Sequence, residues 1–167
     1  ATTGVAFTST KLWTIDTDIK EWDITLSPFT ATFSRDITYG ETPSVAGNIA
    51  LSDTLLLGVD SSGLTDEIVE IDVTTNTASK TSQFAIQSNR TVQSNLLYTT
   101  KNKLVLISNS GAEDFITQFD YSTGNVELDV SLGQLGGRVM LMECQCIIKV
   151  LIDSTLYIFD PVNGLVN

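Results

Sequence analysis

The chain has 167 residues, with 20 acidic and 9 basic side chains, no histidine and a formal net charge of −11. An acidic surface repels phosphate, so nucleic acid and anionic bilayers are poor partners, and the missing imidazole removes the commonest general base and metal ligand. With 42% hydrophobic and 17% charged residues, the composition is that of a folded chain long enough for one domain. No apolar run approaches the roughly 20 residues that a membrane-spanning helix needs. No basic-then-apolar leader opens the sequence.

Taken in chain order, the apolar runs fall into four similar groups. The first, residues 1–40, reads "GVAFTS" from Gly4, "LWTI" from Leu12, a run ending at Trp22-Asp23, then "TATFSRDI". The second, 41–90, reads "NIALSD" from Asn48, "LLLGV" from Leu55, a run ending at Ile71-Asp72, then "KTSQFAI". The third, 91–135, reads "NLLYTT" from Asn95, "LVLI" from Leu104, a run ending at Phe119-Asp120, then "VELDVSL". The fourth, 136–167, reads "RVMLME" from Arg138, "CIIKVLI" from Cys146 and a run ending at Phe159-Asp160; the closing "GLVN" leaves little room for a last strand. The Asp positions 23, 72, 120 and 160 lie 49, 48 and 40 residues apart, the period of propeller blades.

The surroundings of these Asp residues repeat as well. An apolar anchor stands four residues before each: Ile19, Ile68, Ile116 and Leu156. Four residues after the last three stands Asn76, Gly124 or Gly164, residues suited to positive φ. The first group has Ser27-Pro28 in that region instead. The expected unit is four short strands, with Asp23, Asp72, Asp120 and Asp160 capping a turn and Asn76, Gly124 and Gly164 reversing the chain. The two middle runs are apolar on both faces, as strands packed between neighbouring sheets are. The expected fold is an all-β, β-propeller-like single domain of four antiparallel blades, the last incomplete. A β-sandwich is the alternative, since short strands at regular spacing also suit it.

The repeated unit, an apolar anchor four residues before a bulky-residue–Asp pair and a Gly or Asn four residues after it, resembles the blades of YVTN and quinoprotein-type β-propellers. It lacks the Gly-His and Trp-Asp signature of the tryptophan–aspartate repeat family. In texture the acidic, histidine-free chain, above all its opening "GVAFTSTKLWTIDTDIKEWDIT", is similar to propeller-like structural proteins of tailed-phage virions. That resemblance implies a non-enzymatic structural or interaction module, in a virion or on another extracellular or cell-surface assembly. Its partners would be proteins or further copies of itself, bound through loop faces and strand edges, with no nucleic acid and no membrane insertion. No quinone is implied, because no cofactor-binding residues can be matched, and no cofactor is expected. A carbohydrate-binding or glycan-cleaving propeller and a fragment of a larger surface adhesin are the alternatives.

Candidate sites are few. "DSSGLTDE" and "SNSGAED" join corresponding strands in consecutive units. Asp60, Asp66 and Glu67 form a weak Ca²⁺ candidate, short of the six to eight oxygens the ion takes; Asp16 and Asp18 are weaker still. The recurring Asp residues suit turns better than glycosidic catalysis, because a catalytic pair is needed once. Missing histidine excludes Ser-His-Asp and Cys-His sites. "GQLGG" (Gly133 to Gly137) reads as a link between units rather than a phosphate loop. Cys144 and Cys146 are expected as buried thiols on one strand face. Trp13, Trp22, Phe29 and Phe33 are expected as packing residues; if exposed beside two close carboxylates they would suit sugar. "NRT" (Asn89 to Thr91) is a chance glycosylation sequon.

Overall fold

A computed structural model describes residues 4–16, 18–39, 48–60, 66–87, 89–160 and 164–166, the side chains of 82 and 83 excepted. Every regular element among them is a β-strand. The chain forms two compact units, residues 1–87 and 88–167, and each holds two sheets.

In the first unit, β1 (Gly4–Phe7), β2 (Lys11–Ile15), β3 (Ile19–Leu26) and β4 (Phe29–Tyr39) form an antiparallel meander. A second meander follows: β5 (Ile49–Ser52), β6 (Leu55–Asp60), β7 (Glu67–Asp72) and β8 (Thr77–Ala85). The last strands of the two also pair briefly in parallel, Thr38 opposite Thr77 and Tyr39 opposite Ala78. In the second unit, β9 (Thr91–Val92) and β10 (Leu97–Tyr98) share one edge of β11 (Lys103–Asn109), followed by β12 (Asp114–Asp120) and β13 (Val126–Gly133). The fourth sheet is β14 (Val139–Cys144), β15 (Ile147–Ile152), β16 (Thr155–Asp160) and β17 (Gly164–Val166). Apart from β9, which pairs with β11, each strand pairs with a sequence neighbour, as in a propeller blade rather than the crossed connections of a sandwich.

Alternation along each third strand sets the packing. Residues four and two before the Asp point to one face of a sheet, those three and one before it to the other. In the first unit the "minus four" face of sheet one, with Trp13, Ile15 and Ile19, packs on the "minus one" face of sheet two, with Leu56, Val69 and Ile71. The second unit repeats this: Ile107 and Ile116 of its first sheet pack on Val150 and Phe159 of its second. Each large apolar side chain so buried contributes about 1.5–3 kcal/mol. β6 and β11 are buried along nearly their whole length, which accounts for the double-sided apolar runs "LLLGV" and "LVLI". β3 alternates instead.

Three sheets also share a defect that the sequence does not display. The pairing of third and fourth strands slips between Glu21 and Trp22, between Glu70 and Ile71, and between Gln118 and Phe119. Each slip leaves one extra residue on the outer strand, a β-bulge that increases local twist.

Two expectations need correction here. The fourth group does carry a last strand, β17, of three residues against eleven in β4; Gly164 at φ 76° lets the chain return opposite Asp160 in so short a space. Asp23 is not at a turn. It sits inside β3, opposite Thr32, because this hairpin runs three residues further before closing at the cis Ser27-Pro28 bond.

Candidate interaction surfaces

The recurrent aspartates do different work in each sheet. Asp120 ends β12, and its Oδ1 accepts from Thr123 N at 3.0 Å and Ser122 Oγ at 2.5 Å. Its Oδ2 accepts from Lys103 Nζ at 2.7 Å. Lys103 first, then Ser122, holds this carboxyl far below the usual carboxylate range. Gly124, at φ 71°, donates its N–H to the Asp120 carbonyl at 2.8 Å and closes the turn. Asp72 ends β7 and accepts from Thr74 N at 2.7 Å; the Thr74 side chain first, then its backbone N–H, lowers the Asp72 pKa. Asn76 is not among the positive-φ residues; the β7–β8 turn closes without that backbone, and its Oδ1 accepts from Arg35 at 3.2 Å. Asp160 ends β16 opposite Gly164. Asp23 accepts from Lys11 at 2.7 Å across the strand pair.

Glu21 is a carboxylate buried between the cations of the first sheet. It is 2% exposed and receives Lys11 Nζ at 2.8 Å, Arg35 Nη2 at 2.9 Å and Trp13 Nε1 at 3.3 Å. Burial alone would raise its pKa, but Arg35 and Lys11 outweigh burial and lower it. Arg35 continues into the second sheet through the carbonyls of Val73 at 2.6 Å and Thr74 at 3.1 Å. The carboxyl shifts resolved at Glu21, Asp53, Asp72, Asp120 and Glu127 are all downward, opposite to the raised pKa of a glycosidic acid. Thr8 and Thr10 likewise bridge to Asp53 at 2.5 and 2.7 Å, tying the first hairpin to the next sheet. In the second unit Asn95 does this with its amide, to Leu141 N at 2.7 Å and Leu141 O at 3.0 Å.

The remaining sequence candidates are placed as follows. The loop between Asp60 and Asp66 lies outside the described residues. Asp60 and Asp66 are buried, and Asp60 accepts from Lys80 at 3.1 Å. Among the described residues no group of three or more acidic or Cys side chains could hold a metal. Cys144 and Cys146 are exposed, which overturns their assignment to the core. The reason is a tight turn: Gln145 and Cys146 take φ of 54° and 62°, so the β14–β15 hairpin reverses there and ends the extended run assumed for the pair. Cys146 borders an open cleft of about 310 Å³ within the second unit, beside Lys101, Lys103 and Glu143. Glu143 is held by Thr100 N and Oγ1, both at 2.9 Å.

The aromatics divide. Trp13 is fully buried, whereas Phe29 and Phe33 are exposed. Trp22 is half-buried and meets Phe33 edge-on, with ring centroids 5.4 Å apart. Register explains the grouping: Phe7 lies opposite Leu12, Leu12 opposite Trp22, and Trp22 opposite Phe33. An apolar row therefore crosses all four strands on the solvent side of the first sheet. The sequence showed an aromatic cluster, but only the bulge at Ser34 brings Phe33 into line with Trp22.

No protein-family profile matches the sequence, and no curated protein sequence matches it. Solved structures do match in fold. The chain is similar to BamB from Moraxella catarrhalis, with 16% identity and a TM-score of 0.57 over 96% of this chain and 48% of that one. It is similar to Kuenenia stuttgartiensis hydrazine synthase, with 12% identity and a TM-score of 0.58 over 96% of this chain and 55% of that one. It is also similar to the Dos1 propeller, with 13% identity and a TM-score of 0.61 over 98% of this chain and 46% of that one. The chain thus spans about half the length of these structures, and its fold is that of a β-propeller.

Proposed function

We propose that the chain is a non-enzymatic structural or interaction module with blades of the YVTN or quinoprotein type, working through protein contacts in a virion or another extracellular assembly. The observation that carries this reading is the solvent-facing row Phe7–Leu12–Trp22–Phe33. Contiguous apolar surface on a folded chain marks a contact site. The recurrent carboxylates Asp23, Asp72 and Asp120 support the same reading, since each is engaged by a lysine or a turn amide. The acidic charge favours protein partners over phosphate-bearing ones.

The test is quantitative mass spectrometry of purified particles from the source, with hydrolysis assays on chromogenic glycosides alongside. The expected result is a fixed copy number in the particle fraction and no turnover. Absence from every particle and surface fraction would overturn the setting, and glycoside turnover would overturn the non-enzymatic role. Phe33, exposed beside half-buried Trp22, with Phe29 exposed further along the same strand, favours glycan binding as the second reading. A glycan array would show it as saturable binding lost in Phe33→Ala.

A further inference from the structure

Sulfur is confined to one place in this sequence. The 167 residues include two Met and two Cys, and all four stand at alternate positions of one short stretch: Met140, Met142, Cys144 and Cys146. Elsewhere the chain fills its apolar positions without either residue type. The stretch is β14 and the turn that ends it, wholly within the second unit. Leu141 points into the core of that unit, so Met140, Met142 and Cys144 share the opposite face of the strand. Met140 is 53% accessible, and both cysteines are exposed. Burial therefore does not account for this row of thioethers and thiols.

The spacing suits a shared ion. Alternate residues of a strand are roughly 6.6 Å apart. Two sulfur–metal bonds of about 2.3 Å each, the length of a zinc–thiolate bond, bridge most of that distance. The unbranched Met142 side chain leans along the strand to supply the rest. Cys146 lies in the tight turn, at φ 62°, where residues two apart come closer than in a strand. Its Sγ is 3.7 Å from Thr100 Oγ1, a weak contact that a rotation about χ1 gives up at little cost.

We propose that this row is a binding site for a soft monovalent metal ion of the Cu⁺ type, held by the Met142 thioether and the Cys144 and Cys146 thiolates. Donor chemistry selects the ion. Thioether and thiolate sulfur favour Cu⁺. Structural Zn²⁺ sites take four Cys or His ligands, and this chain has two Cys and no His. Hard ions take oxygen, and the nearest carboxylate along the strand, Glu143, lies on the other face, held by Thr100 N and Oγ1. Charge is balanced locally: one Cu⁺ with two thiolates carries a single negative charge, and Lys149 stands opposite Met142 on the same face. Ile147, opposite Cys144, and Leu151, opposite Met140, give the site an apolar surround. Binding releases the two thiol protons to water and changes no oxidation state.

The test is anaerobic titration of the reduced full chain with Cu⁺ in competition with the chelator bicinchoninate, whose coloured complex reports the ion it keeps. Wild type should withhold one Cu⁺ per chain, and bound Cu⁺ should protect both thiols from alkylation. Cys144→Ser and Cys146→Ser should each abolish the withholding. Met142→Leu should weaken it at least about tenfold with both thiols still present, the scale seen on removing even an indirect partner of a bound metal. Met140→Leu should weaken it less, since Met140 stands a step further from the thiols. Far-UV circular dichroism checks each fold; Met142→Leu, which keeps the volume, and Cys146→Ser, in an exposed turn, carry the test if Cys144→Ser does not fold. A wild-type chain that yields all its Cu⁺ to the chelator overturns the proposal. So does Met142→Leu that binds as wild type does, which would mean a bare pair of thiols. Zn²⁺ that protects the thiols as well as Cu⁺ at the same concentration overturns the choice of a soft ion.

Discussion

Replacing Glu21 tests how the first unit holds its two sheets together. Breaking a buried ion pair by removing one partner costs about 3–5 kcal/mol when the other charge is stranded. Here neither cation is stranded. Lys11 keeps Asp23 at 2.7 Å, and Arg35 keeps the Val73 and Thr74 carbonyls and Asn76. Both side chains are about a quarter exposed, 23% and 25%, so water replaces part of what is lost. The group left without a partner is the buried Trp13 indole N–H, at about 1–3 kcal/mol. Glu21→Ala should therefore destabilise by about 2–3 kcal/mol, below the stranded-charge range. Glu21→Gln, which keeps the volume and an acceptor, should cost about 1–2 kcal/mol. A chain of this size loses about 2–4 °C per kcal/mol. Urea unfolding followed by tryptophan fluorescence is the assay, because both tryptophans lie in the first sheet. The folded pKa of Glu21 lies below its ordinary 4.5, so the unfolded state binds more protons between the two values. The advantage of wild type over Glu21→Gln should be full above about pH 4.5 and shrink as pH falls through the lowered value. A loss under about 0.5 kcal/mol for Glu21→Ala, the range of ordinary surface substitutions, would refute the reasoning.

Further expectations follow from burial and backbone geometry. Trp13→Ala should cost about 3–5 kcal/mol as a core truncation, against about 1–2 for half-buried Trp22, both read by urea midpoints. A Cβ on Gly137 would collide with the Asp153 carboxylate, which accepts from Arg138 N at 2.9 Å, whereas one on Gly136 meets open space. Both have positive φ, so Gly136→Ala should cost about 1 kcal/mol and Gly137→Ala clearly more, as compared by thermal melts. Both cysteines should react fully with a thiol reagent in the native state, since both are exposed; a burst of label only after denaturant would contradict that. The pKa values of Lys11 and Lys103 are raised by Asp23 and Asp120. Their stabilisation should persist through the ordinary 10.5 and fade only as pH climbs through the higher folded values, measured by alkaline unfolding.

The repeat was legible because the anchor, the bulky residue and the Asp keep one spacing while their faces stay buried. Ile19, Ile68 and Ile116 are all fully buried, and apolar strands flanked by turn residues announce themselves. What escaped sequence reading depends on partners distant along the chain. Arg35 looks like a surface residue of an outer strand until its acceptors, 38 to 41 positions away, are seen. The repeated bulge has no common signature, since two of its extra residues, Ser34 and Thr81, carry hydroxyls while the third, Glu127, carries a carboxylate. Cys146 was misplaced because a two-residue turn with positive φ usually shows Gly or Asn, and "CQC" shows neither.

The divergence between repeats carries information of its own. Two residues before the Asp the chain places Glu21, Glu70, Gln118 and Ile158. The first is buried against cations, and the third donates from Nε2 to Glu127 at 3.0 Å. The fourth, on a face open to water, is the apolar one. Simple adaptation to solvent would produce the reverse order, with the polar residue on the open sheet. The anchor shows the same inversion: Leu156 stays apolar at 44% exposure. At the other end Trp22 remains bulky and apolar on an uncovered face, like Ile71, Phe119 and Phe159 in the other three sheets. The first and fourth sheets thus keep, on exposed faces, the kinds of side chain that pack sheet on sheet within each unit, so burial within the unit alone does not account for their apolar character.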